Sequence, residues 1–312
     1  MMSTAPRRWT RALTTALWAA AVLVTGPTAA SVAAQGDSAP AQSTNTAAAR
    51  GQAGEPAAYE HYVALGDSYT AAPLVPQLDI AGGCYRSTNN YPTLVAKALD
   101  IAAFVDRSCS GAQTKDMTQS QLPGVAPQFD ALTPDVDLVT VSIGGNDFNV
   151  FGTLVGYCPT LRASDPTGTP CRDEMRSDGR DRLLADVQQT RERVSAVVAA
   201  IRERSPNARI VVVGYPQIAP RQGTCPDRLP LADGDVRYAV QVNKRLTDAL
   251  RQAAMSNQAE YVDVWSASRD HDICSTDPWI NGQYTDPTRA QNFHPFANEQ
   301  VAVAGLVEDL LR

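Results

Sequence analysis

From residue 59 onward, short apolar runs alternate with longer segments of helical periodicity. In the longest helical segment, apolar residues recur every three or four positions, which is typical of a helix with one buried face. The pattern predicts strands at 62–65, 103–106, 138–143, 209–213 and 261–264, and helices at 91–99, 181–204, 234–255 and 297–311. This alternation of strands and helices predicts a parallel sheet covered by helices on both faces.

The first candidate motif, residues 66–69 (GDSY), directly follows the first predicted strand. Sites in parallel sheets lie at the carboxyl ends of the strands, which is where this motif falls. A serine hydroxyl is a useful nucleophile only when a nearby base accepts its proton, so Ser68 needs an exposed position at a strand end. Gly66 permits the tight turn that this position requires. Because Gly, Asp and Ser are also common turn residues, the motif alone is equally typical of a plain turn.

A second motif, residues 142–148 (SIGGNDF), overlaps the end of the third predicted strand. Its two glycines allow the backbone to approach a substrate closely. The side-chain amide of Asn146 is a suitable donor to an oxyanion that develops during a reaction. An Asn-Asp turn without function is the alternative interpretation.

The chain has only three histidines, which makes the search for a general base short. His61 begins the first predicted strand, at the end away from the candidate site. His271 lies three residues before Cys274, in a polar segment where a surface position is expected. His294 stands just before the last predicted helix and is the candidate base.

The first 34 residues have the order of a secretory signal peptide. Arg7, Arg8 and Arg11 precede an uncharged run, and small residues at 32–34 offer a cleavage site. The run has about 13 residues against the ~20 that a membrane span needs, so an uncleaved anchor is disfavoured and no stable membrane span is expected. The Arg7-Arg8 pair also suits a twin-arginine signal, whereas disulfides made outside the cell favour the general secretory route.

Residues 35–57 contain no Val, Ile, Leu, Met or aromatic side chain. Such a segment cannot bury enough apolar surface to offset the entropy of ordering, so it is predicted to be a disordered linker. The remaining 58–312 form the predicted folded domain. The formal net charge of −6 gives no indication of a nucleic-acid partner or an anionic membrane surface.

Six cysteines agree with export to an oxidising compartment and an extracellular location. They are Cys84, Cys109, Cys158, Cys171, Cys225 and Cys274. We predict pairing in sequential order, although six cysteines allow 15 pairings. No two of them stand two to four residues apart, and histidines are few, so no metal site is predicted.

Taken together, these motifs resemble the SGNH hydrolases, also called GDSL-type esterases and lipases, whose four blocks contribute Ser, Gly, Asn and His. The matching residues are Ser68 in 66–69, Gly111 in 108–112 (SCSGA), Asn146 in 145–147 (GND), and His294 before Pro295. They follow the family's order across nearly the whole predicted domain. Residues 84–87 (CYRS) and 90–92 (NYP), with the cysteine of the second block, further resemble the secreted actinobacterial branch.

The resemblance implies a three-layer α/β/α sandwich with a five-stranded, parallel, flavodoxin-like sheet. It implies hydrolysis through an acyl-enzyme, with Ser68 as nucleophile, His294 as base and no cofactor. The oxyanion hole would consist of the backbone N–H groups of Ser68 and Gly111 and the side chain of Asn146. Small-molecule or lipid acyl esters, phospholipids included, are the expected substrates of a monomeric enzyme. A carbohydrate acetyl esterase and an inactive binding module on the same fold are the alternatives.

The chain departs from the family pattern in two respects. Members usually have an Asp three residues before the histidine, where this chain has Gln291, and Phe296 and Glu299 replace small or polar residues. Some relatives in the secreted branch orient the histidine with a main-chain carbonyl, so the Gln291 carbonyl is the predicted partner in a Ser-His dyad. A carboxylate from Asp286 is the competing interpretation.

Overall fold

The structure is a computed structural model that describes residues 59–312. The predicted signal peptide (1–34) and linker (35–57) lie outside the described residues. Within these residues the chain forms seven strands: β1 His61–Gly66, β2 Leu78–Asp79, β3 Arg86–Ser87, β4 Ala103–Asp106, β5 Leu138–Ser142, β6 Arg209–Val213 and β7 Glu260–Val262.

Five of these strands form one parallel sheet in the order β4-β1-β5-β6-β7, and β2 and β3 form a small antiparallel hairpin. Every residue of β5 is buried, and so are nearly all residues of β1 and β6. Continuous runs of Val, Ile and Leu suit such central strands, because both of their faces are covered. Edge strand β4 alternates between exposed and half-buried residues.

Eight α-helices accompany the strands in the described part of the chain: α1 Ser68–Ala71, α2 Tyr91–Ala98, α3 Cys158–Leu161, α4 Pro170–Met175, α5 Arg182–Arg204, α6 Asp235–Ser256, α7 Val264–Ala267 and α8 Ala297–Leu311. Helix α2 packs against α8, and α5 packs against α6. The two pairs and the sheet make the three-layer α/β/α sandwich that the resemblance implies, with the predicted flavodoxin-like strand order.

Local capping explains where the long helices begin. The Asp181 side chain accepts the N–H of Leu184 at 3.0 Å at the start of α5, and Asn90 accepts the N–H of Thr93 at the start of α2. The four predicted helices and five predicted strands are all present, with ends that differ by at most two residues. The short helices and the β2–β3 hairpin were not predicted, because elements of six or fewer residues are too short to show a clear period.

The six cysteines form three disulfides in sequential order, as predicted: Cys84–Cys109, Cys158–Cys171 and Cys225–Cys274. The first joins the β2–β3 region to the loop that follows β4. Within residues 59–312, no helix combines the length and hydropathy needed to cross a membrane.

Candidate active site

Ser68 is the first residue of α1, and Asp67 alone separates it from the end of β1. The carboxylate of Asp67 caps this short helix by accepting the N–H of Tyr69 at 3.0 Å. Position 66 has no space for a side chain, since a Cβ there would lie 2.2 Å from Thr70 Oγ1 and 2.7 Å from the Ser142 carbonyl. The glycine is therefore required for the turn that places the serine at the end of the strand.

The Gly111 and Asn146 loops lie at the carboxyl ends of the strands on either side of β1. The N–H of Cys109 donates to the Gly66 carbonyl at 3.0 Å, which fixes the loop after β4 beside the Ser68 turn. The side-chain amide of Asn146 donates to the Ala112 carbonyl at 2.9 Å, which joins the loops after β4 and β5. In this strand order, chain connections diverge between β1 and β5, where ligand sites of flavodoxin-like sheets occur.

The three predicted oxyanion donors each have a hydrogen without an acceptor in the structure. Within residues 59–312, the backbone N–H groups of Ser68 and Gly111 make no hydrogen bond, and the Asn146 amide uses only one of its two hydrogens. Backbone donors in folded proteins are nearly always paired with protein or solvent. Three free donors on adjoining strand ends are an arrangement suited to an incoming anionic oxygen.

The Nδ1 atom of His294 lies 2.7 Å from the carbonyl oxygen of Asn292, not that of Gln291. The prediction of the Gln291 carbonyl is therefore wrong by one residue. The Gln291 carbonyl closes a turn by accepting the backbone N–H of His294 and also accepts from Asn281, both at 3.2 Å. Phe293 adopts a φ of 58°, a left-handed conformation that redirects the chain within this turn.

The competing carboxylate is occupied elsewhere. Asp286 accepts the backbone N–H and the hydroxyl of Thr288 at 3.0 and 2.7 Å. Its pKa is lowered, first by the hydroxyl of Thr288. This side chain caps a local turn and forms no bond with His294.

Burial lowers the pKa of His294 to about 4, while the bond to the Asn292 carbonyl acts in the opposite direction. A carbonyl only accepts, so Nδ1 carries the proton and Nε2 presents a lone pair. Nε2 makes no hydrogen bond to any described residue. The imidazole is thus neutral near pH 7, in the tautomer that a general base needs.

Tyr69 connects the serine and histidine segments directly. Its hydroxyl donates to the Phe293 carbonyl at 2.9 Å, and its ring centre lies 5.8 Å from that of His294. The N–H of Gln291 donates to the Pro73 carbonyl at 3.1 Å, a second contact between the segments. The chain therefore brings Ser68 and His294, 226 positions apart in the sequence, to one end of the sheet.

The other two histidines lie elsewhere, as expected. His61 begins β1 at the opposite end of the sheet and faces Asp135 at 3.8 Å on the surface. His271 stacks on Trp279, with ring centres 4.6 Å apart, and contacts the Asp277 carbonyl through Nδ1. No group of three or more His, Cys, Asp or Glu side chains within residues 59–312 is placed to hold a metal ion.

A buried polar chain behind the site was not predicted. The hydroxyl of Tyr215 donates to the Asp67 carboxylate at 2.5 Å and accepts the N–H of Gly145 at 2.9 Å. Burial raises the pKa of Asp67 to about 7, against the opposing effect of the Tyr215 bond. Tyr215 thus connects the turn before Ser68 to the loop of Asn146. Its position two residues after β6 was the available signal, since it falls at the same edge of the sheet.

Two further side chains at this edge, Gln128 and Glu299, make contacts that were not predicted. Gln128 accepts the N–H of Gly66 at 2.8 Å and donates to its carbonyl at 2.9 Å, like a strand partner. Glu299 is 2 % exposed, and burial raises its pKa to about 8. It accepts a bond from Gln300, which also donates to the Tyr69 carbonyl at 3.1 Å. No motif marks Gln128, whereas Glu299 was visible as a departure from the family pattern.

Comparison with known proteins identifies the family. Residues 64–297 match the GDSL-like Lipase/Acylhydrolase family. Lipase 2 of Streptomyces coelicolor is 42% identical over 217 residues, which cover 68% of this chain and 72% of the relative. The crystal structure of an extracellular lipase from Streptomyces rimosus is 28% identical with a TM-score of 0.67, covering 80% of this chain and 99% of that one.

A second solved structure also matches this chain over most of its length. Phospholipase A1 from Streptomyces albidoflavus NA297 is 28% identical with a TM-score of 0.65, covering 81% of this chain and 99% of that one. These matches agree with the order of the Ser, Gly, Asn and His blocks at the carboxyl end of the sheet. The chain belongs to the GDSL-like lipase/acylhydrolase family, has the SGNH hydrolase fold and is a carboxylic ester hydrolase.

Proposed function

We propose that the chain is a secreted serine hydrolase that cleaves acyl esters through a Ser68–His294 dyad and an acyl-enzyme. One observation carries the proposal. A serine at a strand end is joined, through its neighbour Tyr69, to a neutral histidine whose Nδ1 is held by a carbonyl. Nucleophilic catalysis by serine needs this combination of hydroxyl and oriented base.

In the first step, Nε2 of His294 takes the hydroxyl proton while Ser68 Oγ attacks the ester carbonyl. The carbonyl electron pair moves to the oxygen and forms a tetrahedral oxyanion. Its collapse expels the alcohol, which receives the proton from His294 and leaves the acyl group on the serine. Water then attacks the acyl-enzyme with His294 as base again, which releases the acid and restores Ser68.

The oxyanion is stabilised by the backbone N–H groups of Ser68 and Gly111 and by the free hydrogen of Asn146. Their lack of protein acceptors among residues 59–312 supports this assignment. Donors that are already oriented stabilise the developing charge without reorganisation, and each typically contributes ~10²–10³ in rate.

A neutral carbonyl in place of a catalytic carboxylate has a consequence for the base. The Asn292 oxygen selects the tautomer and orientation of the ring, but it stabilises the imidazolium less than an anion would. The low pKa of His294 agrees with an imidazolium that is poorly stabilised in the resting enzyme. The base is therefore correctly oriented and weak.

Fatty-acyl esters, phospholipids included, are the proposed substrates. The names of the relatives, lipase and phospholipase A1, support this substrate class. Secretion is supported by three disulfides, by the order of basic and apolar residues before residue 35, and by the extracellular S. rimosus relative. The enzyme is proposed to act as a monomer without a cofactor.

A p-nitrophenyl ester series from acetate to palmitate, with a serine-reactive fluorophosphonate, tests the proposal. We expect turnover of the longer esters and a single label, which peptide mass mapping places on Ser68. Ser68→Ala is the matched control and should lose both label and turnover while its thermal unfolding is unchanged. Turnover of acetate alone would replace the lipid substrate with a carbohydrate acetate, and absence of both turnover and label would leave only a binding module.

A further inference from the structure

The side chain of Gln121 contacts the peptide unit that carries the Gly111 N–H. Its Nε2 atom donates to the carbonyl of Ser110 at 2.7 Å. That carbonyl and the N–H of Gly111 belong to one planar peptide group and point in opposite directions. Any side chain that fixes the direction of the Ser110 oxygen therefore also fixes the direction of the Gly111 hydrogen.

The Gly111 backbone needs such a restraint. Its φ of 80° lies in the left-handed region, and glycine crosses between backbone regions more readily than other residues. A Cβ at position 111 would lie 3.6 Å from Gln121 Nε2, so the amide lies directly against this turn. The loop is otherwise held before and after the Ser110–Gly111 peptide, through the N–H groups of Ser110 and Ala112.

The segment around Gln121 is itself well anchored. The Ser120 hydroxyl lies 2.7 Å from the carbonyl oxygens of both Leu122 and Val125. Seven residues further on, Gln128 pairs with both backbone groups of Gly66. The segment is thus fastened to the same turn that presents Ser68, so Gln121 has a fixed position relative to the nucleophile.

This contact leaves one polar atom unpaired. A carbonyl cannot donate, so the amide nitrogen of Gln121 must face Ser110. The Oε1 atom is then buried without a hydrogen-bond partner among the described residues. A buried unpaired acceptor costs stability, and its presence calls for an explanation other than stability.

We infer that Gln121 is a positioning residue of the oxyanion hole, which acts by orienting and polarising the Ser110–Gly111 peptide. The inference rests on the proposed function, in which the Gly111 N–H binds the oxyanion. A bond to the carbonyl end of a peptide makes its N–H a better donor, because hydrogen bonds in series polarise one another. Gln121 contacts no reacting atom, and it stabilises the oxyanion of the transition state only through the N–H of Gly111.

Gln121→Met tests this role, because it keeps the length of the side chain and removes the donor. Outright loss of an oxyanion donor costs ~10²–10³ in rate, and we expect a smaller loss of about tenfold in kcat from misorientation, with KM nearly unchanged. Gln121→Glu should lose more, since a carboxylate repels the Ser110 carbonyl. Gln119→Met is the matched control, because Gln119 is exposed and its side chain makes no hydrogen bond in the described chain.

A readout beyond stability is the affinity for an alkyl trifluoromethyl ketone, whose adduct with serine carries an oxyanion. We expect its inhibition constant to rise in parallel with the loss of kcat, at an unchanged melting temperature. Wild-type kcat and inhibition constant in both Gln121 variants would overturn the inference, as would losses that track the melting temperature. Ser68→Ala, assayed alongside, separates failure of the inference from failure of the proposed function. Wild-type activity of Ser68→Ala would overturn the proposed function. An inactive Ser68→Ala together with a fully active Gln121→Met would overturn only the inference about Gln121.

Discussion

The two halves of the site are built in different ways. Ser68, Gly111 and Asn146 follow strands of the sheet, and backbone bonds between neighbouring strand ends continue into their turns, as in the 3.0 Å bond from Asp67 N–H to the Ser142 carbonyl. His294 stands outside the five-stranded sheet, in a loop segment with backbone bonds to residues 279–282, as in the 2.9 Å bond from the Asn281 N–H to the His294 carbonyl. The side chain of buried Asn281 organises that segment by donating to the carbonyls of Tyr284, Ala290 and Gln291 at 2.8, 3.0 and 3.2 Å.

This difference determines which features of the site can be predicted from the sequence and which tolerate substitution. A residue directly after a buried parallel strand has its position set by the sheet, so its location follows once the strand is recognised. A carbonyl in an irregular turn has its direction set by several distant bonds and by one unusual φ angle. The identity of the histidine was therefore predictable, and the oxygen that orients it was not.

The largest effect is expected when either half loses its reacting group. Because the two groups act as one unit, Ser68→Ala and His294→Ala should each reduce kcat by ~10⁴–10⁶, and the double variant should be no worse than the worse single variant. Steady-state kinetics with the preferred p-nitrophenyl ester measures this, with circular dichroism as the check on folding. Multiplicative losses in the double variant would show that the two halves do not work together.

The strand-end half is tested next by Asn146→Ala. Loss of its free donor should lower kcat by ~10²–10³ with a smaller effect on KM, because the oxyanion exists only in the transition state. Asn149→Gly is the control, since Asn149 is exposed on the same loop and its φ of 60° lies in the left-handed region that glycine adopts without strain. An equal loss in both variants would point to a disturbed loop and not to a missing donor.

The low pKa of His294 predicts an unusual pH dependence of kcat/KM. The neutral ring is the base, and with a pKa near 4 it remains neutral as the pH falls from 7 to 5. The acid limb of kcat/KM should therefore lie near pH 4 and not near the ordinary value of about 6.5. Rapid assays after return from acid to neutral pH separate this limb from denaturation, and a midpoint near 6.5 would show that the ring is solvated.

The lowered pKa of His294 also makes the free energy of unfolding depend on pH. In the unfolded chain His294 binds a proton at about 6.5, whereas the folded state binds it only near 4. Between these values the unfolded state holds more protons, so the free energy of unfolding falls as the pH decreases through this window. His294→Ala should reduce this part of the slope when urea unfolding is measured from pH 7 to 4.

The smallest effects are expected at the two residues that the sequence offered as partners of the histidine, Gln291 through its backbone carbonyl and Asp286 through its carboxylate. Asp286→Asn should leave kcat/KM within about twofold, as for an ordinary surface change, and Gln291→Ala keeps its backbone carbonyl and should also have little effect. A catalytic Asp changed to its amide costs ~10⁴, so a loss of that size in Asp286→Asn would restore a triad. Asn281→Ala provides the contrast, because it releases three carbonyls of the segment and should reduce kcat more than either.

Much of this protein was determined by its sequence alone. Uninterrupted Val and Ile runs such as residues 210–213 predict buried parallel strands, since no other common element accommodates them between two helical layers. Amphipathic periods identify the long helices, motifs at strand ends locate Ser68 and Asn146, and the resemblance to the family adds Gly111. With three histidines in the chain, elimination selects His294. These features are local, or follow from local patterns by a general rule of sheet topology.

Only the tertiary structure decided how the polar groups meet. Nothing near Gln121 or Gln128 in the sequence signals that each contacts a loop of the site, because hydrogen bonds between residues far apart in the chain leave no periodic trace. The position of Tyr215 after β6 indicates the edge of the sheet on which it lies, but not its bonds to Asp67 and Gly145. The choice of Asn292 over Gln291 depends on the left-handed Phe293 and on bonds from Asn281. A hydrogen bond requires a donor–acceptor distance within a few tenths of an ångström and a nearly linear direction. Both are set by the packing of the chain as a whole.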